Sequence, residues 1–162
     1  IKVASVFVAA GLVSVGTVSF PIYRMLLHME INGFEESAMG TLGTIMTSEK
    51  QYQSSLSRDE NGYGIGDFGT FSDLLSAQPP FIDKLTAGGE KSGYIFTLDV
   101  YVGRNEADAR YTATAVPKKR GKTGNRIFLL DSSAPHRGAH AVRFTTDGSM
   151  PNASSPVATI RR

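Results

Sequence analysis

Hydrophobic positions divide this chain into three stretches with different periods. From Val3 to Tyr23 there is no charged side chain, and Lys2 and Arg24 bracket the stretch. The apolar run Val3–Phe20 would extend roughly 27 Å as a helix, close to the hydrocarbon thickness of a bilayer. Next comes an amphipathic segment in which Ile31, Phe34, Ala38, Leu42, Ile45, Tyr52 and Leu56 recur at steps of three, four and seven, with one gap at Glu49. This spacing predicts one apolar helical stripe, suited to lie on a sheet and ending near Ser57, while the positions between (Asn32, Glu35, Glu36, Ser37, Thr41, Thr44, Ser48, Lys50, Gln51) are mostly polar and fall off it. Beyond residue 90 the period drops to two. Tyr94–Val102, Tyr111–Val116, Arg126–Leu130 and Ala141–Thr146 are rich in β-branched and aromatic residues and bounded by Gly, Pro and Asp, so they predict an antiparallel meander.

Together these elements predict an α+β fold: a long N-terminal helix, half hydrophobic and half amphipathic, packed on a small antiparallel sheet. The expected division is 1–29 as a hydrophobic helix and 30–162 as a globular head, with the amphipathic helix at 30–57 and the sheet at 93–148. Phe34, Leu42, Ile45 and Tyr52 of the helix should meet Phe96, Phe128 and Phe144 of the sheet. Between them, Arg58–Gly69 reads as a glycine-rich loop. Phe71–Ala77 and Phe81–Ala87 read as short helical turns stopped by Pro79-Pro80 and Gly88-Gly89. The tail from Ser149 is assigned to a peripheral strand or loop.

The first stretch is crowded with small residues, among them Ala4, Ser5, Ala9, Ala10, Gly11, Ser14, Gly16 and Thr17. A lone anchor gains nothing from these, whereas helices pressed against other helices do, because small side chains permit close approach. Helix packing is therefore favoured over a simple anchor. The chain opens on Ile1 and not Met, so a leader is expected to be cut ahead of a retained hydrophobic helix, the reverse of an ordinary signal peptide. Pro21 lacks an N–H and clashes with the preceding turn, and Gly16 lies one turn upstream. Gly16–Pro21 is the expected weak point, prone to kink or to unwind under load.

Charge and candidate chemistry change this picture little. The chain has 17 basic and 15 acidic residues, and with Lys2 and Arg24 set aside the remainder is neutral, which argues against nucleic acid as a partner. The absence of cysteine excludes disulfides, thiolate zinc and c-type haem attachment. No catalytic site, cofactor or metal site is expected. His136 and His140 are assigned to a solvated loop, and Asp59-Glu60-Asn61 with Asp67 to a polar loop in preference to a calcium site. Lys118-Lys119-Arg120 with Lys122 is taken as a solvated hairpin tip, with an inter-subunit contact as the functional alternative. Asn152-Ala153-Ser154 matches the N-glycosylation triplet.

Several of these segments, in this order, resemble the bacterial type IV pilin and pseudopilin family. They are the Phe20-Pro21 junction, the run Phe34-Glu35-Glu36-Ser37-Ala38-Met39-Gly40-Thr41-Leu42-Gly43-Thr44-Ile45, Gly62-Tyr63-Gly64, and Lys91-Ser92-Gly93-Tyr94 with Phe96. Ala113, Ala115 and Pro117, then Gly124, Arg126 and Phe128, and finally Phe144 with Asp147-Gly148 complete the series. The resemblance covers most of residues 3–148. It implies cleavage by a prepilin peptidase, storage in the inner membrane, an inner-membrane assembly machinery, and polymerisation with copies of itself into a helical filament. The filament core would then draw on Ile1, Val3, Ala4, Val6, Phe7, Ala10, Gly11, Leu12, Ser14, Val15 and Val18, with Gly16–Pro21 partly unwound. Pilins usually carry a glutamate in the first turns of this helix; here no acidic residue precedes Glu30, and Ala4 and Ser5 occupy that region. The leading expectation is an extracellular pilus-like filament subunit. The alternatives are a periplasmic pseudopilin of type II secretion and a membrane-anchored periplasmic binding domain.

Overall fold

In the computed structural model, one long helix lies across a six-stranded antiparallel sheet, an α+β arrangement. It describes residues 2–59, 62, 64, 66–102, 109–136 and 139–158, of which 2–20, 134–136 and 139–141 are described by backbone alone. Helix α1 (Lys2–Ser54) has Pro21 inside it. Two short helices follow, α2 (Phe71–Ser76) and α3 (Lys84–Ala87), and then the strands β1 (Glu90–Lys91), β2 (Tyr94–Tyr101), β3 (Arg110–Pro117), β4 (Ile127–His136), β5 (Ala139–Thr145) and β6 (Val157–Ala158). Each strand pairs with its neighbours in sequence order, so the sheet is a simple meander.

Alternation sorts the sheet's two faces. Along β2, Tyr94 and Phe96 are buried while Ile95, Thr97, Asp99 and Tyr101 are exposed, the period-two signature of a sheet covered on one side. The pairing register aligns Phe96, Ala115, Phe128 and Phe144 in one row across β2 to β5. A second row runs Leu98, Ala113, Leu130, Val142 and Ala158. The two alanines of β3 leave a shallow trough between larger neighbours. Ala38, Leu42 and Ile45 of α1 join the fully buried cluster there, and α1 crosses the sheet mainly over β3. Phe34 and Phe144 pack at the margin of this cluster, while Tyr52 belongs to a second one with Leu74 of α2 and Ile82.

Three sequence expectations need correction. The helix stops at Ser54, where the Ser55 hydroxyl donates to the Tyr52 carbonyl, and Leu56 is exposed with φ 52° instead of continuing the stripe. The stretch after Leu130 reads as a turn but extends β4 to His136, with a register irregularity between Leu130 and Pro135. An irregularity of this kind is where a sheet tolerates proline. His136 and His140 consequently lie in paired strands and not in a loop. Finally, Glu35, Thr41 and Ser48, which the pattern leaves off the apolar stripe, are buried.

Short polar contacts tie the connections to the core. Thr70 and Asp73 form a reciprocal capping box at the start of α2, and the Asp83 carboxylate accepts the Thr86 N–H to cap α3. Such caps satisfy helix-end donors and contribute about 1 kcal/mol each. The loop before α2 runs against the end of α1 at Gly66, where an added Cβ would collide with the Gln53 carbonyl.

Candidate assembly surface

Helix α1 leaves the head part-way along its length. Packing on the head begins at Ile31, and every residue from Pro21 to Glu30 except the half-buried Leu27 is exposed. Five large apolar side chains stand in water there: Ile22, Tyr23, Met25, Leu26 and Met29, each more than half exposed (54–65%). At 3.6 residues per turn, Ile22, Met25, Leu26 and Met29 fall within an arc of about 100°. The head-facing residues Ile31, Ala38, Leu42 and Ile45 centre about 180° away on the same wheel. The apolar face thus switches to the opposite side of the helix where the head begins. No part of the described head covers it.

The upstream residues singled out from the sequence continue this segment. Ile1, Val3, Ala4, Val6, Phe7, Ala10, Gly11, Leu12, Ser14, Val15 and Val18 lie outside the residues whose side chains are described, as does Gly16. Pro21 is exposed within α1. Among the described residues, no helix is long and apolar enough to cross a membrane.

Two carboxylates anchor α1 to the head by different means. Glu35 accepts from the Asn125 N–H at 2.7 Å, the Arg126 N–H at 3.1 Å and the Arg126 Nε at 2.6 Å. Its side chain is 4% exposed, and three donors satisfy its charge. The turn that supplies them is held down by Tyr94, whose hydroxyl donates to the Arg126 carbonyl at 3.0 Å. Gly124 lies directly beneath that hydroxyl, and a Cβ there would collide with it. The Arg126 guanidinium also sits 5.5 Å and 5.4 Å from the ring centroids of Phe128 and Phe144.

Glu49, fourteen residues on, is fully buried with much less support. Its Oε2 accepts the Gly69 N–H at 2.9 Å, and its Oε1 has no hydrogen-bond partner among the described residues. Burial pushes the Glu49 carboxyl up to about 8; the Gly69 N–H opposes the shift and the Asp73 charge adds to it. At neutral pH it is therefore mostly protonated. The Tyr111 hydroxyl is pushed up as well, by its own burial and then by Glu49. A charge-neutral carboxyl is the form this pocket accepts.

The remaining candidate chemistry disperses. Both oxygens of Asp59 accept N–H groups of its own loop, from Gly62 at 2.8 Å and Gly64 at 2.9 Å. Among the described residues, no group of His, Cys, Asp or Glu is placed to hold a metal ion. In the basic cluster, Arg120 donates to the Asp147 carbonyl at 2.8 Å and to the Thr146 carbonyl, and Lys118 pairs with Glu90. Lys119 and Lys122 remain exposed at the tip. Asn152 Oδ1 accepts the Ser154 N–H in a local turn. An open groove of ≈ 220 Å³ at Asp99–Tyr101 and Arg110–Thr112 is shallow and lined by both polar and apolar groups.

The buried polar anchors escaped the sequence pattern, although one signal was present. Glu49 sits between Ile45 and Tyr52 at steps of four and three, so the gap in the stripe is a carboxyl occupying a core position. Compared with known protein families, characterised proteins and solved structures, the chain finds no match.

Proposed function

We propose that this chain is a non-enzymatic structural subunit that polymerises through its N-terminal helix into a type IV pilus-like extracellular filament. The observation that carries the reading is the exposed apolar face at Ile22, Met25, Leu26 and Met29, turned away from the head. It continues an uncharged N-terminal sequence crowded with small residues. Burying each such side chain contributes about 1.5–3 kcal/mol, so a helix bundled with its neighbours is held strongly. The described head is held by its own core without using this face, as a subunit displayed on a filament surface requires. The pilin-like order of segments and the α+β arrangement agree with the same role. Before assembly the helix would reside in the inner membrane, in contact with the assembly machinery and the prepilin peptidase.

Electron microscopy of the purified full chain tests this. Filaments are expected on removal of detergent, and monomers or micelles alone would rule the reading out.

A further inference from the structure

Two residues of the open stripe, Met25 and Met29, carry sulfur, and this gives the face a chemistry that Ile22 and Leu26 lack. The chain has five methionines and neither cysteine nor tryptophan, so its thioethers are the side chains that oxidise most readily. Met39 and Met46 are partly buried and packed against the core of the head. Met25, Met29 and Met150 are exposed by 63%, 59% and 53%. Met150 lies between β5 and β6, away from α1. Met25 and Met29 are four residues apart in α1, so they share one face a single turn apart. Both lie on the side of Arg24 that carries the head, past the uncharged N-terminal stretch.

Oxidation changes what this face can do. A peroxide passes one oxygen atom to the thioether sulfur, which gives up two electrons, and the remainder leaves as water. The sulfoxide is polar where the thioether is apolar. Buried against another apolar surface, its oxygen loses water and gains no donor from Ile22 or Leu26, which disfavours the contact. We infer that Met25 and Met29 form an oxidation-sensitive site: peroxide converts them to sulfoxides in the unassembled chain and blocks polymerisation, and reduction of the sulfoxides restores it. This rests on the filament reading, in which the stripe is bare before assembly and covered afterwards.

Peroxide treatment of the full chain, before detergent is removed, tests the site. Mass spectrometry maps the sulfoxides, and the lowest concentration that sediments as polymer measures assembly. Wild type is compared with the double variant Met25→Leu, Met29→Leu, which keeps the stripe apolar and removes both sulfurs. Sulfoxides are expected at Met25, Met29 and Met150 ahead of Met39 and Met46. Oxidation is expected to raise the sedimenting concentration of wild type about tenfold or more. Methionine sulfoxide reductases should then return it to within about twofold of the untreated chain. The double variant should change by less than about twofold, although its Met150 is oxidised. Peroxide added to finished filaments should oxidise Met150 and spare Met25 and Met29.

Wild type that carries both sulfoxides yet sediments normally overturns the inference and leaves the filament reading intact. So does a double variant as impaired by peroxide as wild type, or an unassembled chain oxidised at Met150 but not at Met25 and Met29. Thermal unfolding of the head should be the same before and after treatment; a head that unfolds early assigns the loss to Met39 or Met46 and also overturns the inference. An untreated wild type that never sediments removes the filament reading itself.

Discussion

The two stretches of α1 on either side of Ile31 obey opposite rules. From Ile31 to Tyr52 the helix buries its stripe against its own head, with Ala38, Leu42 and Ile45 fully enclosed. From Pro21 to Glu30 it exposes Ile22, Met25, Leu26 and Met29 on the far side, and Tyr23 off that stripe, with no described residue of the head covering them. Scattered exposed apolar residues are ordinary, but several large ones on one helical face mark a surface that expects a partner. One helix therefore carries two apolar faces, one covered by the head and one left open among the described residues. Its C-terminal stretch belongs to the fold, and its N-terminal stretch is left over from it.

Substitutions can break this division, and the largest effect is expected at Glu35. Removing that carboxylate strands the Arg126 guanidinium and two backbone N–H groups at the helix–sheet junction. Glu35→Ala is expected to destabilise the head by about 3–5 kcal/mol in chemical denaturation. A loss under 1 kcal/mol would mean that α1 does not depend on the clamp.

A smaller, pH-dependent effect is expected at Glu49. Its folded carboxyl titrates at about 8 against an ordinary 4.5, so the unfolded chain loses this proton first. Its contribution to stability therefore falls as pH rises from about 4.5 to about 8 and levels off above that, a change on the order of a few kcal/mol. The groups around it sharpen this picture. Asp73 of α2 adds negative charge, and Tyr52 and Tyr111 are themselves pushed up. Glu49→Gln is expected to flatten the pH dependence and to exceed wild type in stability at pH 9. An unchanged slope in the variant would place the buried titration elsewhere.

The smallest effect on the head is expected in the exposed stretch, and it is the most telling. Leu26→Ser should leave the unfolding midpoint within the range of ordinary surface changes, about 0.5 kcal/mol. The same variant should polymerise poorly or not at all in a sedimentation assay. A head destabilised by several kcal/mol would show that Leu26 belongs to the fold after all.

Where the chain's chemistry is monotonous, its pattern is easy to read. Alternation in Tyr94–Tyr101 and the apolar steps from Ile31 to Tyr52 lead to the sheet and to the helix face that covers it. The polar anchors stayed hidden because a carboxylate in isolation reads as solvent-facing. Whether it is buried depends on donors ninety residues away, as at Glu35 and Arg126. The tail of β4 was missed for a similar reason. Asp131-Ser132-Ser133 and Pro135 are turn residues by habit, yet pairing with β5 draws them into a strand. The exposed face at Ile22–Met29 was partly legible, since its residues are apolar, but its orientation opposite the head required the helix to be placed on the sheet.

The chain has no cysteine, which makes one experiment direct. A Leu26→Cys variant of the full chain, treated with a flexible bis-maleimide, can be cross-linked only between copies. Covalent dimers and higher species through residue 26 are expected under assembling conditions, far more than from Lys122→Cys at the hairpin tip. A Leu26→Cys protein that stays monomeric, or that cross-links no better than Lys122→Cys, would contradict the claim that this face is where copies meet.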